Sequence, residues 1–263
     1  AAALRPCGLT SILTHLGENL QALEEAAEVR DHYLDVLERV RGAGLDAHIS
    51  VKPTQLGHDQ DPAVCFQHCA ALLDRCATTG TFLWLDMESS PYVDGTLALY
   101  RRLRARSERV GVAIQSYLRR SDADVDALLE LGAAVRLVKG AYLEPPAVAY
   151  PDKRDVDAAY FRLAERMLTA PPRRGALLHI ATHDIGLQER LRTVIADARV
   201  DPERYEVAML YGIHAARQRE LAAAGVRTRC LISYGRHWFP WYMRRLAERP
   251  ANIWFVARSM LAR

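Results

Sequence analysis

The sequence predicts an α/β protein folded as a single (βα)8 TIM-like barrel. Three observations carry that expectation. Short apolar runs alternate with longer amphipathic ones along the chain, and such alternation implies parallel strands joined by right-handed helical crossovers. The chain has 263 residues, enough for eight units of roughly 33 residues, the βαβ scale, and close to the roughly 250 usual for this barrel. No Gly-, Ser- or Pro-rich linker, internal repeat or low-complexity segment divides it, so residues 1–263 read as one barrel domain.

The strands follow in order. Thr10 to His15 opens the set and has the weakest pattern. A run ending in Ile49-Ser50-Val51 comes second, then Phe82 to Leu85, Val110 to Ile114 and Ala134 to Val138. Ala176 to Ala181, Val207 to Leu210 and Cys230 to Ile232 complete the eight. Each has the length of a buried strand and is rich in Val, Ile, Leu or aromatic residues. Between them, Glu18 to Arg41 carries the helical period through Leu20, Leu23, Ala26, Tyr33, Leu34 and Leu37. A second helix holds Cys65, His68 and Cys69. The third, Pro91 to Arg106, opens with a proline suited to a first turn. The fourth starts at Ser121, read as its cap. Asp155 to Leu168, Gly186 to Ala198, Ala215 to Ala224 and Trp238 to Glu248 follow. Pro145 to Pro151 falls in a strand-to-helix loop.

Half of the residues are hydrophobic, a quarter are charged, and the net charge is +3. That balance excludes a disordered chain, a collagen-like chain and a highly basic nucleic-acid tail. The five cysteines form no C-x-x-C pair and read as reduced thiols of a cytosolic protein. No apolar run reaches the roughly eighteen residues of a membrane span, and no secretory signal opens the chain.

In such a barrel the functional site lies at the C-terminal ends of the strands. The residues that close the apolar runs are Lys52, Asp86 and Glu88, Gln115, Lys139 to Tyr142, Thr182 to Asp184, Tyr211 and Tyr234, with Arg136 inside strand five. Any one of them reads equally well as a solvated strand end; their convergence is the signal. Lys52, Arg136, Lys139 and His183 bring positive charge to one face, and Arg244 and Arg245 add a basic spot on the last helix. A mildly charged protein that gathers cations there is expected to bind an anion, a phosphate or carboxylate that an Arg fork can grip. Arg244 and Glu248 are four apart and share a helix face, although spacing alone favours a surface pair worth about 0.3–0.5 kcal/mol. Neither His179 with His183 nor Cys65 with His68 and Cys69 completes a metal shell, so no metal is expected. The chain lacks G-x-G-x-x-G, Walker and G-x-S-x-G motifs, which leaves a doubly wound dinucleotide fold or an α/β-hydrolase unsupported.

Several of these strand ends carry recognisable motifs. Arg136-Leu-Val-Lys-Gly-Ala-Tyr142 and Tyr242-Met-Arg-Arg-Leu-Ala-Glu-Arg-Pro-Ala-Asn252 resemble the strand-five and last-helix motifs of the proline dehydrogenase family. Ser50-Val-Lys-Pro-Thr-Gln-Leu56, Leu85-Asp-Met-Glu88, Ile114-Gln-Ser-Tyr117, Ala181-Thr-His183 and Leu16-Gly-Glu18 fit in order, from about Thr10 to Arg258. The resemblance implies a distorted barrel that holds FAD, oxidises L-proline to Δ1-pyrroline-5-carboxylate and passes electrons to a membrane quinone. It implies that Lys52, Arg244 and Arg245 clamp the substrate carboxylate while Asp86 and Tyr142 line the pocket. Arg136 would sit by flavin N5 and Gln115 on the pyrimidine edge. Val138, Lys139, Gly140, Thr182 and His183 would contact the rest of the cofactor. Glu18 would gate Arg244, and Glu248 would support it. A cytoplasmic protein touching the inner membrane face peripherally is implied, with no nucleic-acid partner; a homo-oligomer is left open.

Departures stand beside the matches. Leu231 replaces the family's Tyr in a Tyr-x-Pro-x-Gly pattern, and Trp241 replaces a second pocket Tyr. Both changes fall in the substrate ring pocket. Strand seven reads Glu206-Val-Ala where the family has Glu-Phe-Gln, and Glu206 is expected to touch the cofactor. The helical arm that often precedes strand one has no counterpart here. Two alternatives stay open: a family member acting on another cyclic or secondary amino acid, and a catalytically silent flavin-binding barrel.

Overall fold

The computed structural model describes residues 1–17, 20 and 22–235. Eight parallel strands form a closed barrel in sequence order: β1 (Thr10–His15), β2 (Ala47–Val51), β3 (Leu83–Leu85), β4 (Val110–Gln115), β5 (Ala134–Val138), β6 (Leu177–Ala181), β7 (Tyr205–Leu210) and β8 (Thr228–Tyr234). The ring closes between β1 and β8, with Thr10 opposite Arg229 and His15 opposite Tyr234. Seven helices surround it among the described residues: α1 (Leu23–Gly42), α2 (Pro62–Thr79), α3 (Val93–Arg104), α4 (Ser121–Glu130), α5 (Lys153–Thr169), α6 (Ile185–Asp197) and α7 (Ala215–Ala223). The eighth expected helix, Trp238 to Glu248, lies outside the described residues.

The strands follow the apolar pattern closely because both of their faces are covered. Outward residues such as Ile49, Leu83, Val112 and Leu137 pack with Tyr33 and Leu37 of α1 and Leu72 and Leu73 of α2 in one continuous core. Inside the barrel, Ile12, Trp84 and Ala134 form a second cluster, joined by Phe82, Leu177 and Leu231. Trp84 is fully buried, and it fits because Gly111 stands opposite on β4. A Cβ at Gly111 would lie 2.4 Å from the Trp84 ring.

The helix starts depart more from the pattern. The first helix begins at Leu23, where Ala22 ahead of it is extended; its expected start, Glu18, lies outside the described residues. Pro91 lies in a 3-10 turn, Ser90–Tyr92, ahead of α3. Ser121 does not cap α4; its hydroxyl donates to the Gln115 carbonyl at 2.6 Å and ties the helix to the end of β4. Asp61 does cap α2, accepting from the backbone of Ala63 (2.8 Å) and Val64 (3.4 Å), with Pro62 at the first position.

Candidate active site

Strands β2, β3 and β5 bring three expected residues together. The Ser50 hydroxyl donates to Asp86 Oδ1 at 2.8 Å and accepts from Arg136 Nη2 at 2.9 Å. Arg136 Nη2 also bonds to the same Asp86 oxygen. Lys52 Nζ lies 3.4 Å from Asp86 Oδ2. The Arg136 side chain is only 4% exposed and that of Lys52 10%. Burial alone would raise the Asp86 pKa, but Arg136 and Lys52 outweigh it and hold the carboxyl below its usual range. Asp86 is therefore ionised at neutral pH and faces two cations. Glu88 adds a second carboxylate near Lys52, so buried charges of both signs meet at this end of the barrel.

Arg136 supplies a further observation. Its Nη1 is buried and has no hydrogen-bond partner among the described residues. A buried donor left unsatisfied costs about 1–3 kcal/mol, so the site has a place for an acceptor atom at that nitrogen. The guanidinium carbon lies 5.5 Å from the centre of the Trp84 ring, within cation–π range. Gln115 Nε2 donates to the Glu88 carbonyl at 2.9 Å, and the Glu88 carboxylate is gripped by Thr54 through its backbone N–H (3.2 Å) and its hydroxyl (2.7 Å). Ser50 and Glu88 are site residues that the motif contained but that received no role. Their signal was the strand period of two, which places Ser50 beside Lys52 on one face. Glu88 follows two residues after Asp86.

Around β5 and β6 the rim is also polar. Lys139 Nζ sits between Asp157 Oδ1 (2.6 Å) and Asp184 Oδ2 (2.8 Å). Val138 ends β5, and its carbonyl accepts from Ser116 N at 2.8 Å. Gly140 has φ +117°, and a Cβ there would lie 2.3 Å from the Tyr117 ring. Only glycine allows this close approach. The Thr182 hydroxyl accepts from Asp184 N at 3.1 Å. Tyr142 stands half-buried on the loop after β5.

Three expectations need correction or relocation. His183 is not a cation at neutral pH: burial, aided by His214, lowers its pKa to about 4, and its Nε2 accepts from Leu210 N at 3.3 Å. Glu206 does not sit with the rim residues. It is the second residue of β7, in the N-terminal half of the barrel, where Arg229 Nε (2.5 Å) and Nη2 (2.9 Å) and Arg227 Nη2 (2.7 Å) hold its oxygens. An inward position near a strand start faces the base of the barrel, which the sequence motif did not reveal. Leu231 lies inside the barrel, paired with Ile12 and Leu210 and packed on the Ile12–Trp84–Ala134 cluster. Glu18, Trp241, Arg244, Arg245 and Glu248 lie outside the described residues.

Lys52, Arg136 and Gln115 stand at or near the C-terminal ends of their strands, whereas Lys139, expected to add positive charge there, is matched by Asp157 and Asp184. No group of three or more His, Cys, Asp or Glu suited to a metal exists among the described residues. Comparison with known proteins shows the family. The family model described as proline dehydrogenase matches residues 1–258. The chain is 36% identical over 264 residues to proline dehydrogenase of Deinococcus radiodurans and 35% identical over 258 residues to proline dehydrogenase 1 of Bacillus subtilis subsp. natto. Each alignment covers 98% of this chain and 84% of the relative. In fold it is similar to proline utilization A (PutA) from Bdellovibrio bacteriovorus inactivated by N-propargylglycine, with a TM-score of 0.81 at 22% identity. That match covers 89% of this chain and 29% of the larger protein. Matched by the family model over residues 1–258 and by named relatives at 35–36% identity along nearly its whole length, the chain belongs to the proline dehydrogenase family.

Proposed function

We propose that this chain oxidises L-proline to Δ1-pyrroline-5-carboxylate with FAD as its cofactor and a quinone as the onward acceptor. The observation that carries the reading is the buried cluster of two cations on one carboxylate, with Arg136 Nη1 lacking an acceptor. When bound, the flavin supplies a hydride acceptor at N5. The protein's own residues do the rest. Lys52, with Arg244 and Arg245, holds the substrate carboxylate, and that anchor orients the ring carbon beside the nitrogen. Asp86 holds Lys52 and Arg136 in place. Tyr142 walls the pocket. Arg136 presents a positive charge where negative charge develops on the cofactor, with Gln115 on a second edge. Val138, Lys139, Gly140, Thr182 and neutral His183 line the remainder of the cofactor site. Glu18 and Glu248 act through Arg244. The substrate amine must lose a proton before hydride leaves. Asp86 is a weak base for this, with its pKa held down by its cations, and solvent can serve instead.

Among the described residues no helix is long and apolar enough to cross a membrane. In this reading the quinone is reached peripherally from the cytoplasmic side.

A second reading is favoured by Leu231. An apolar side chain within the barrel, in place of a family tyrosine, and Trp241 in place of another suit a bulkier or less polar cyclic amino acid. One experiment addresses both. The FAD-loaded protein is mixed anaerobically with L-proline, hydroxyproline or pipecolate, and the flavin absorption band is followed. Bleaching fastest with L-proline is expected. Bleaching by pipecolate with none by L-proline would replace the first reading with the second. A protein that stays colourless with added FAD would overturn both.

A further inference from the structure

The loop between β5 and α5, residues 139–152, contains no helix or strand beyond one bridge between Ala149 and Leu118. Loops longer than about 12 residues are usually functional or disordered. This one is tied down at three stations. At its start Lys139 is held by Asp157 and Asp184. At its end Arg119 Nε donates to the Pro146 carbonyl at 3.0 Å, Arg119 N to the Val148 carbonyl at 3.0 Å, and Tyr150 N to the Tyr117 carbonyl at 2.8 Å.

The third station is the informative one. Glu144 Oε1 accepts from the Ser90 backbone N–H and Oε2 from the Ser90 hydroxyl, both at 2.7 Å. Both distances are those of well-formed hydrogen bonds. Ser90 opens the 3-10 turn Ser90–Tyr92 and stands shortly after Asp86 and Glu88. Tyr142, two residues before Glu144, is half-buried on the same loop. The fold alone needs no such bond, since α3 and α5 are docked by their own apolar faces.

We infer that Glu144 is a positioning residue for substrate specificity: its two-point bond to Ser90 locks the β5–α5 loop as a preformed wall that fixes Tyr142 against the substrate ring. The inference rests on the proposed function for Tyr142's role, but the lock itself does not. A preformed wall selects by shape, because a ring that fits meets Tyr142 without the ordering of a loop.

The test uses the FAD-loaded full chain and two independent readouts. Hydrogen exchange of peptides within 139–152 reports the lock without any substrate. Steady-state kinetics with L-proline and pipecolate report the positioning. Glu144→Ala is expected to speed exchange around Tyr142 and to raise KM for L-proline about tenfold with kcat within about twofold, below the roughly hundredfold loss that a 1 Å displacement of a positioned group can cause. It should also narrow the preference between the two rings. Glu144→Gln can still accept from the Ser90 N–H and donate to its hydroxyl, so it should restore most of both readouts. Ser90→Ala, which keeps the backbone bond, should fall between them and serves if Glu144→Ala fails to fold. Unchanged exchange in Glu144→Ala, or faster exchange with unchanged KM and ring preference, overturns the inference. Faster exchange in an enzyme whose wild type turns over neither substrate overturns the proposed function instead and leaves the lock standing.

Discussion

The Ser50 hydroxyl is the smallest group in the central cluster and bridges its largest charges. It gives its proton to Asp86 and receives one from Arg136. Ser50→Ala leaves both charged partners one bond short in a buried place. Hydrogen bonds to charged groups are worth about 1.5–3 kcal/mol each, and Arg136 already lacks a partner at Nη1. The variant should lose about 2 kcal/mol in urea denaturation and bind the flavin more weakly. A denaturation midpoint equal to that of the wild type would show that the hydroxyl is incidental. At this scale the sequence was partly legible. Lys52 and Asp86 could be read because each stands one residue past a strand end, and Arg136 because it is a lone charge within the apolar run of β5. The neutral state of His183 could not, because it depends on burial that only the assembled rim creates. The same holds for Glu206, whose partners Arg227 and Arg229 reach it only when β7 and β8 pair.

Strands were the most legible elements, and the reason is visible in β4 and β5. Both are covered on two sides, so nearly every residue is apolar and the run announces itself. The exceptions inside those runs carry the positional information. Gly111 reads as a weak strand residue, yet it is what admits the Trp84 ring beneath Arg136. Gly111→Ala would push a methyl to within 2.4 Å of a fully buried indole, and overpacking of this kind typically costs 1–3 kcal/mol, so a loss of about 2 kcal/mol in denaturation is expected. Trp84→Leu in the same chain should recover much of that loss, since the clash partner is gone; no recovery would mean that the strain lies in the backbone. Helix starts were less legible because their capping depends on loops. Ser121 has the right residue type for a cap, but its hydroxyl goes to the end of β4. Asp61 does cap, and Asp61→Ala should cost α2 about 1 kcal/mol, measurable as a lower melting temperature.

Across the whole molecule the barrel interior is a column with charge at each end and aromatic rings between. At the base, Glu206 binds Arg229 and Arg227, and Arg229 reaches Asp46 at 2.9 Å. Above it, His179 Nε2 lies 3.0 Å from Glu206 and its ring is stacked near His48 and Trp84. Trp84 Nε1 donates to His48 Nδ1 at 3.1 Å. That bond requires a neutral His48, because a protonated imidazole has no acceptor nitrogen. Burial is the main cause that lowers the pKa of both histidines, His179 to about 4 and His48 well below its usual value. The unfolded chain, with histidines near 6.5, binds more protons than the fold between pH 6.5 and 4. Stability is therefore full above pH 6.5 and falls as the pH drops through that window. Glu206 acts in a lower window. Burial would raise it, but Arg229 and His179 hold it far below the ordinary range, so its contribution is complete above about pH 4.3 and lost only in stronger acid. The melting temperature should be flat from pH 8 to 7 and fall by about 10 °C by pH 4.5, on the usual scale of 2–4 °C per kcal/mol for a chain of this size. Scanning calorimetry across that range checks it. A His48→Asn, His179→Asn double variant keeps polar groups at both places but has nothing to titrate, so its melting temperature should change far less between pH 7 and 4.5, even if it starts lower. An equal fall in wild type and double variant would locate the acid sensitivity outside the column, in His183 of the rim, which burial also keeps neutral, and in the rim carboxylates.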